Sequence, residues 1–67
     1  MSNYNYKIGD KVICNGNPNS IIIDSYDYQD RRYHVLRLQR DNGGYIGQVC
    51  MSDNELKIQQ DRATFNN

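Results

Sequence analysis

Tryptophan is absent from this 67-residue chain, and phenylalanine, histidine and proline occur once each. Glutamate occurs only at Glu55. One histidine and one glutamate leave little material for general acid–base chemistry. Neither sign of charge predominates: eight Lys and Arg stand against eight Asp and Glu, so the formal net charge is zero. That balance disfavours a globally basic nucleic-acid binder, whose affinity comes from summed positive charge. It equally disfavours an acidic tail or a DNA mimic. The longest apolar runs span three residues, as in Ile21-Ile22-Ile23, far short of a transmembrane helix or a signal-peptide core. Apolar residues make up 37 % of the chain. A domain this short buries only about 60 % of the surface its unfolded chain exposes, so one modest core is accessible and a deep substrate cavity is not.

Two cysteines without a secretory signal, Cys14 and Cys50, read as reduced thiols in an intracellular, cytoplasmic protein. Free Cys is commonly a small buried apolar residue. Zinc needs about four ligands, usually in local pairs, and Cys14, His34 and Cys50 stand alone and far apart. No metal and no cofactor is expected.

What is present is short β-branched runs separated by turn formers. Residues 1–5 are polar and aperiodic and read as a flexible N-terminus. Gly9-Asp10 is a turn signal leading into a first strand over residues 11–15. Residues 15–19, with the only proline, admit no helix. The three isoleucines open a second strand over residues 20–28. Its period of two puts Ile21 and Ile23 on a core face and Ile22, Asp24, Tyr26 and Tyr28 on the other. Residues 29–31 make a hairpin tip. A third strand over residues 32–39 sends His34, Leu36 and Leu38 one way and Tyr33, Val35 and Arg37 the other. Asp41-Asn42-Gly43-Gly44 is the strongest turn signal. It is followed by a fourth strand over residues 45–51, where Val49 and Met51 alternate with Cys50.

Ser52-x-x-Glu55 has the spacing of a capping box. No apolar helical repeat follows it, so a single 3₁₀ turn is expected, with residues 56–58 returning as a short fifth strand. Residues 60–67 read as a flexible C-terminal tail. The expected fold is all-β, a small five-stranded barrel over residues 6–59 with one 3₁₀ turn before the last strand. The expected core is Val12, Ile21, Ile23, Leu36, Leu38, Val49, Met51, Leu56 and Ile58.

Two segments resemble the small SH3-like barrels of bacterial and phage proteins, the group that includes KOW-like and Tudor-like modules. Tyr6-Lys7-Ile8-Gly9-Asp10-Lys11-Val12-Ile13 is similar to their aromatic-x-hydrophobic-Gly-Asp-x-Val opening. Met51-Ser52-Asp53-Asn54-Glu55-Leu56-Lys57-Ile58 is similar to their hydrophobic-Ser-x-x-Glu-Leu turn into the final strand. The resemblance implies a fold and hardly a function, because such barrels host peptide, RNA, DNA and protein-docking roles. KOW-type RNA binding goes with a basic surface, which this neutral chain lacks. Proline-reading SH3 domains use tryptophan, which is also missing.

Six tyrosines in a chain of this size exceed what a thin barrel can bury with partners for every hydroxyl. Tyr26, Tyr28 and Tyr33 cluster around the second turn. Two readings stand: they cover barrel ends and form cross-strand pairs, or they form a binding patch. Arg31, Arg32, Arg37 and Arg40 follow Asp24, Asp27 and Asp30, so the two hairpin arms differ in sign. This is either a self-paired solvated hairpin or an Arg-Tyr docking face able to meet an acidic patch or stack bases. An aromatic cage from Tyr26, Tyr28 and Asp24 is disfavoured, because one strand aims them in one direction. Catalysis finds little support: a Cys–His pair would need a third orienting group, and no phosphate-cradling loop precedes a helix.

The expectation is therefore a non-catalytic binding module that docks onto another protein. Its partner-binding residues are Tyr26, Tyr28, Arg32, Tyr33, Arg37 and Arg40. Since stand-alone barrels of the kind it resembles are frequent in phages and mobile elements, an inhibitor of a host factor or defence system is one specific version. The alternatives are a nucleic-acid binder using the hairpin over residues 31–40 and a small structural subunit of a larger complex.

Overall fold

The computed structural model describes residues 5–65. Four strands, β1 (Lys11–Cys14), β2 (Asn17–Tyr28), β3 (Arg31–Gln39) and β4 (Tyr45–Ser52), precede one helix, α1 (Asp53–Phe65). The strands pair antiparallel in chain order to form one sheet, β1-β2-β3-β4. The protein is mostly β, and the sheet does not close. The expected five-stranded barrel is therefore corrected to a four-stranded open sheet with a helix laid against it. Residues 1–4, 66 and 67 of the expected flexible termini lie outside the described residues.

The turns follow from backbones that Asn, Asp and Gly tolerate. Asn15 and Gly16 both have positive φ, 51° and 82°, and join β1 to β2 in two residues. Because those two suffice, β2 starts at Asn17 and includes Pro18, earlier than expected. Pro18 is exposed beside the strand start, where a missing N–H is tolerated. Gln29 and Asp30, at 50° and 64°, make the second two-residue turn. Arg40 N–H donates to the Gly44 carbonyl at 2.8 Å and closes the third. At the N-terminal side, Gly9 (φ 97°) donates its N–H to the Ile22 carbonyl, and Ile22 N–H donates to the Asp10 carbonyl. The Gly-Asp turn thereby seats the opening segment on β2.

The isoleucine run is resolved by a β-bulge. Ile22 pairs with Leu36 but Asp24 pairs with Val35, so Ile23 is the extra residue. Ile22 rather than Ile21 or Ile23 enters the core. The buried set is Val12, Cys14, Ile22, Leu36 and Leu56, with Tyr6, Leu38, Val49 and Met51 packed around it. Ile21 is half-buried, and Ile23 and Ile58 are 39 % and 43 % exposed, against expectation. After the bulge, Ser25 faces the core side opposite His34, while Tyr26 pairs with Tyr33 and Tyr28 with Arg31.

The largest correction is after Ser52. Its hydroxyl accepts the Glu55 N–H at 3.1 Å, so the N-cap half of the expected motif forms. The chain then continues for a 13-residue helix instead of one 3₁₀ turn, so residues 56–58 are helical rather than a strand and residues 60–65 are helical too. Leu56 is the helix's buried apolar anchor. One and two turns further on, the inward positions are Gln59, Gln60 and Ala63. Gln60 works as a substitute strand: its Oε1 accepts the Ile13 N–H at 2.8 Å and its Nε2 donates to the Ile13 carbonyl at 2.6 Å. Gln59 Oε1 accepts the Asn15 N–H at 2.7 Å. Side-chain amides thus satisfy the outer edge of β1, where a fifth strand would have closed a barrel.

Candidate functional site

Helix α1 and the opening segment cover one face of the sheet. The opposite face, formed by alternate residues of all four strands, has no layer over it among the described residues. Toward the β2–β3 hairpin it is aromatic. Tyr26 and Tyr33 stack across β2 and β3 with centroids 5.6 Å apart and planes inclined by 19°, and Tyr28 meets Tyr33 at 6.4 Å in a tilted arrangement. Val35 and Arg37 continue the row along β3. The Arg37 guanidinium lies 5.2 Å from the centre of the Tyr45 ring, and its Nε donates to Gln39 Oε1 at 3.1 Å. Tyr26, Tyr28 and Tyr45 are 42 %, 58 % and 54 % exposed.

Tyr26 also reaches β4, where its hydroxyl lies 3.0 Å from Cys50 Sγ. That hydrogen bond, followed by slight burial and the neighbouring Cys50, Tyr33 and Asp24 charges, holds the Tyr26 phenol above its ordinary value. Cys50 is exposed and Cys14 is buried. The two lie at opposite ends of the strand order, about 14 Å apart at the usual strand spacing, too far for a disulfide. Burial pushes the Cys14 thiol up.

Of the expected site residues, Tyr26, Tyr28, Tyr33 and Arg37 come together on this face. Arg32 does not join them. It pairs with Asp27 across the hairpin on the opposite side, with Nε 3.1 Å from Asp27 Oδ1. Arg40 sits in the β3–β4 turn and lines a shallow cleft with Pro18, Gln39, Asp41 and Ile46. Tyr45 and Cys50 are members that sequence reasoning missed. Cys50 was legible from simple alternation. Tyr45 was not, because Leu38 pairs with Gly47 while Gln39 pairs with Tyr45. The irregularity at Ile46 moves Tyr45 to the outer face, against its odd numbering.

A second constellation is buried. His34 has no exposed surface. Its Nε2 is 2.7 Å from Asp53 Oδ1 and its Nδ1 is 2.6 Å from Ser25 Oγ. A carboxylate only accepts, so a neutral His34 carries its proton on Nε2 and accepts the Ser25 hydroxyl proton at Nδ1. Asp53 Oδ2 accepts from Asn5 N and Nδ2 at 3.3 and 3.1 Å. Burial alone would raise the Asp53 carboxyl, but the hydrogen bonds from His34 and Asn5 outweigh it and hold the group below its ordinary value. The residue types are those of a hydrolytic triad. The cleft beside Arg40 and a second one, lined by Ile13, Asn15, Gln59 and Arg62, both lie away from Ser25, His34 and Asp53. The network instead joins β2, β3, the start of α1 and the opening segment. Among the described residues, no group of three or more His, Cys, Asp or Glu is placed to hold a metal ion, and no helix is long and apolar enough to cross a membrane.

No family model matches the chain, and comparison with curated proteins and with solved structures finds no match.

Proposed function

We propose that the uncovered sheet face docks this domain onto another protein, without catalysis. The observation that carries the reading is the row Tyr28, Tyr26, Tyr33, Arg37 and Tyr45 on the side of the sheet away from the helix. Tyr and Arg are the side chains that concentrate binding energy at protein interfaces. Their rings already lean on each other, so little side-chain freedom remains to be lost on association.

The same geometry favours protein over single-stranded nucleic acid. A base stacks on an open ring face. Here Tyr26 and Tyr33 spend one ring face each on the other and Arg37 lies over one face of Tyr45, so fewer faces remain for bases. The zero net charge removes the summed attraction that phosphate binding needs. The fitting partner presents an apolar centre to the tyrosines and carboxylates to Arg31 and Arg37 at the rim.

The test is affinity capture from the native host with and without nuclease, using the wild type beside a Tyr28→Ala/Arg37→Ala variant that keeps its circular dichroism. A stoichiometric protein that survives nuclease and is lost with the variant is the expected result. Capture cleared by nuclease, or undiminished in the variant, overturns the reading.

A further inference from the structure

The sheet has three stretches of outer edge, and they are treated differently. The β1 edge is covered by the amides of Gln59 and Gln60. The part of β2 beyond its bulge carries Asp24 and Asp27, charges of the kind that keep a free edge from pairing. β4 ends the strand order, and no other described strand pairs with its outer side. It has no charged residue and no proline, whereas β1 carries Lys11, β2 two aspartates, and β3 Arg31, Arg32 and Arg37. Residues 47–52 run in unbroken register with β3, so their outward N–H and C=O groups form a regular template for one more strand.

We propose that this edge pairs antiparallel with β4 of a second copy, about a two-fold axis, merging two sheets into one. Charge is what selects a second copy as the occupant. A two-fold pairing sets the residues at and beside the axis opposite their own kind or a near neighbour, so a charge there would meet its own sign. β4 alone among the strands is free of that penalty, and two neutral chains approach without long-range repulsion.

The symmetry restricts the register. Directly opposed residues share a face, so the axis passes through one residue and not between two. Only axes at Val49 or Cys50 engage five of the six regular residues. In the first, Gln48 opposes Cys50 of the second copy. In the second, the two Cys50 side chains oppose each other. The two Cys50 Cβ atoms then lie about 7–8 Å or about 5 Å apart, the diagonal and direct spacings of an antiparallel pair. Both registers put the two tyrosine faces on the same side of the joined sheet. The proposal does not rest on the docking reading, since it uses the edge and not the face.

The experiment is sedimentation over a concentration series, with short bismaleimide crosslinking in parallel. Cys14 is buried, so crosslinks report Cys50, with Cys50→Ser as control. The expected result is a concentration-dependent dimer, crosslinked through Cys50. A Gln48→Lys/Cys50→Lys variant sets ammonium against ammonium in either register and is expected to weaken the dimer by roughly tenfold or more. A monomer at every concentration, a dimer that does not crosslink, equal affinity in the folded double variant, or growth beyond two copies overturns the proposal. The crosslink needs no lysine variant, so it decides the matter even if that variant fails to fold. A monomer that still captures a partner through its tyrosine face refutes the junction alone.

Discussion

Leu36 has no exposed surface and lies between Ile22 on β2 and Val49 on β4. Leu36→Ala is therefore expected to cost about 2–5 kcal/mol, a large part of what a domain of this size holds. Ile23, one position along the chain from buried Ile22, is the bulge residue and 39 % exposed, so Ile23→Ala should cost well under half as much. Urea unfolding of both variants checks the contrast, and comparable losses would mean the bulge is misplaced. Asp53 gives a pH signature. Its carboxyl is held below its ordinary value by His34 and Asn5, so the folded state binds its proton less readily than the unfolded chain does. The stabilisation is complete above the unfolded value, about 3.9, and is lost as pH falls through the lower folded value. Unfolding midpoints should drop on acidification through this range in the wild type and change less in Asp53→Asn. Parallel pH profiles for the two proteins would remove Asp53 as the cause.

At the scale of elements, the strands were legible because alternation and turn chemistry are local. His34, Leu36 and Leu38 face the core side as their period of two dictates, and Asn15-Gly16 and residues 41–44 turn where Asn and Gly permit positive φ. Of the three register irregularities, the one in β4 has Gly47 beside it as a hint, and the two in β2 were not legible. An extra residue in a strand has no sequence mark of its own, yet it reverses the parity of everything beyond it. Helix α1 was missed because hydrophobic periodicity is the usual signal, and its inward face has one leucine followed by glutamines. Helix propensity carried the information instead, since Glu, Leu, Lys, Gln, Arg and Ala all favour helix. Four of the six expected site residues lie on one face because they belong to the regular parts of β2 and β3. Arg32 differs from Tyr33 by one position, which in a strand means the other side. The helix's role as an edge cover gives a direct test. Ile13 N–H donates to Gln60 Oε1, so Gln60→Ala should speed exchange of that amide and cost about 1–3 kcal/mol for the stranded peptide group. Unchanged protection at Ile13 would mean that Gln60 does not seal the edge.

At the scale of the whole molecule, one layer of sheet cannot keep water from both of its faces. The tyrosine face tolerates exposure because its rings are amphipathic and packed on one another. The core face does not, and α1 is what covers it: Leu56 completes the buried cluster, Asp53 anchors His34, and Gln60 closes the β1 edge. These three contributions act on the same sheet, so they should fail together rather than additively. A chain ending at Ser52 keeps all four strands and loses every one of them. It would expose the buried cluster, leave His34 without its carboxylate partner and uncover the β1 edge as well. Such a chain is expected to show no cooperative thermal transition and to self-associate. Leu56→Ala in the full chain is the graded counterpart, removing the anchor while retaining the helix's polar contacts, at about 2–5 kcal/mol. Calorimetry of the two separates the possibilities. A weakened but cooperative transition for Leu56→Ala and none for the truncated chain makes the helix an obligatory second layer. A truncated chain that melts like the full protein would make α1 an appendage, and the sheet would then need another partner for its core face.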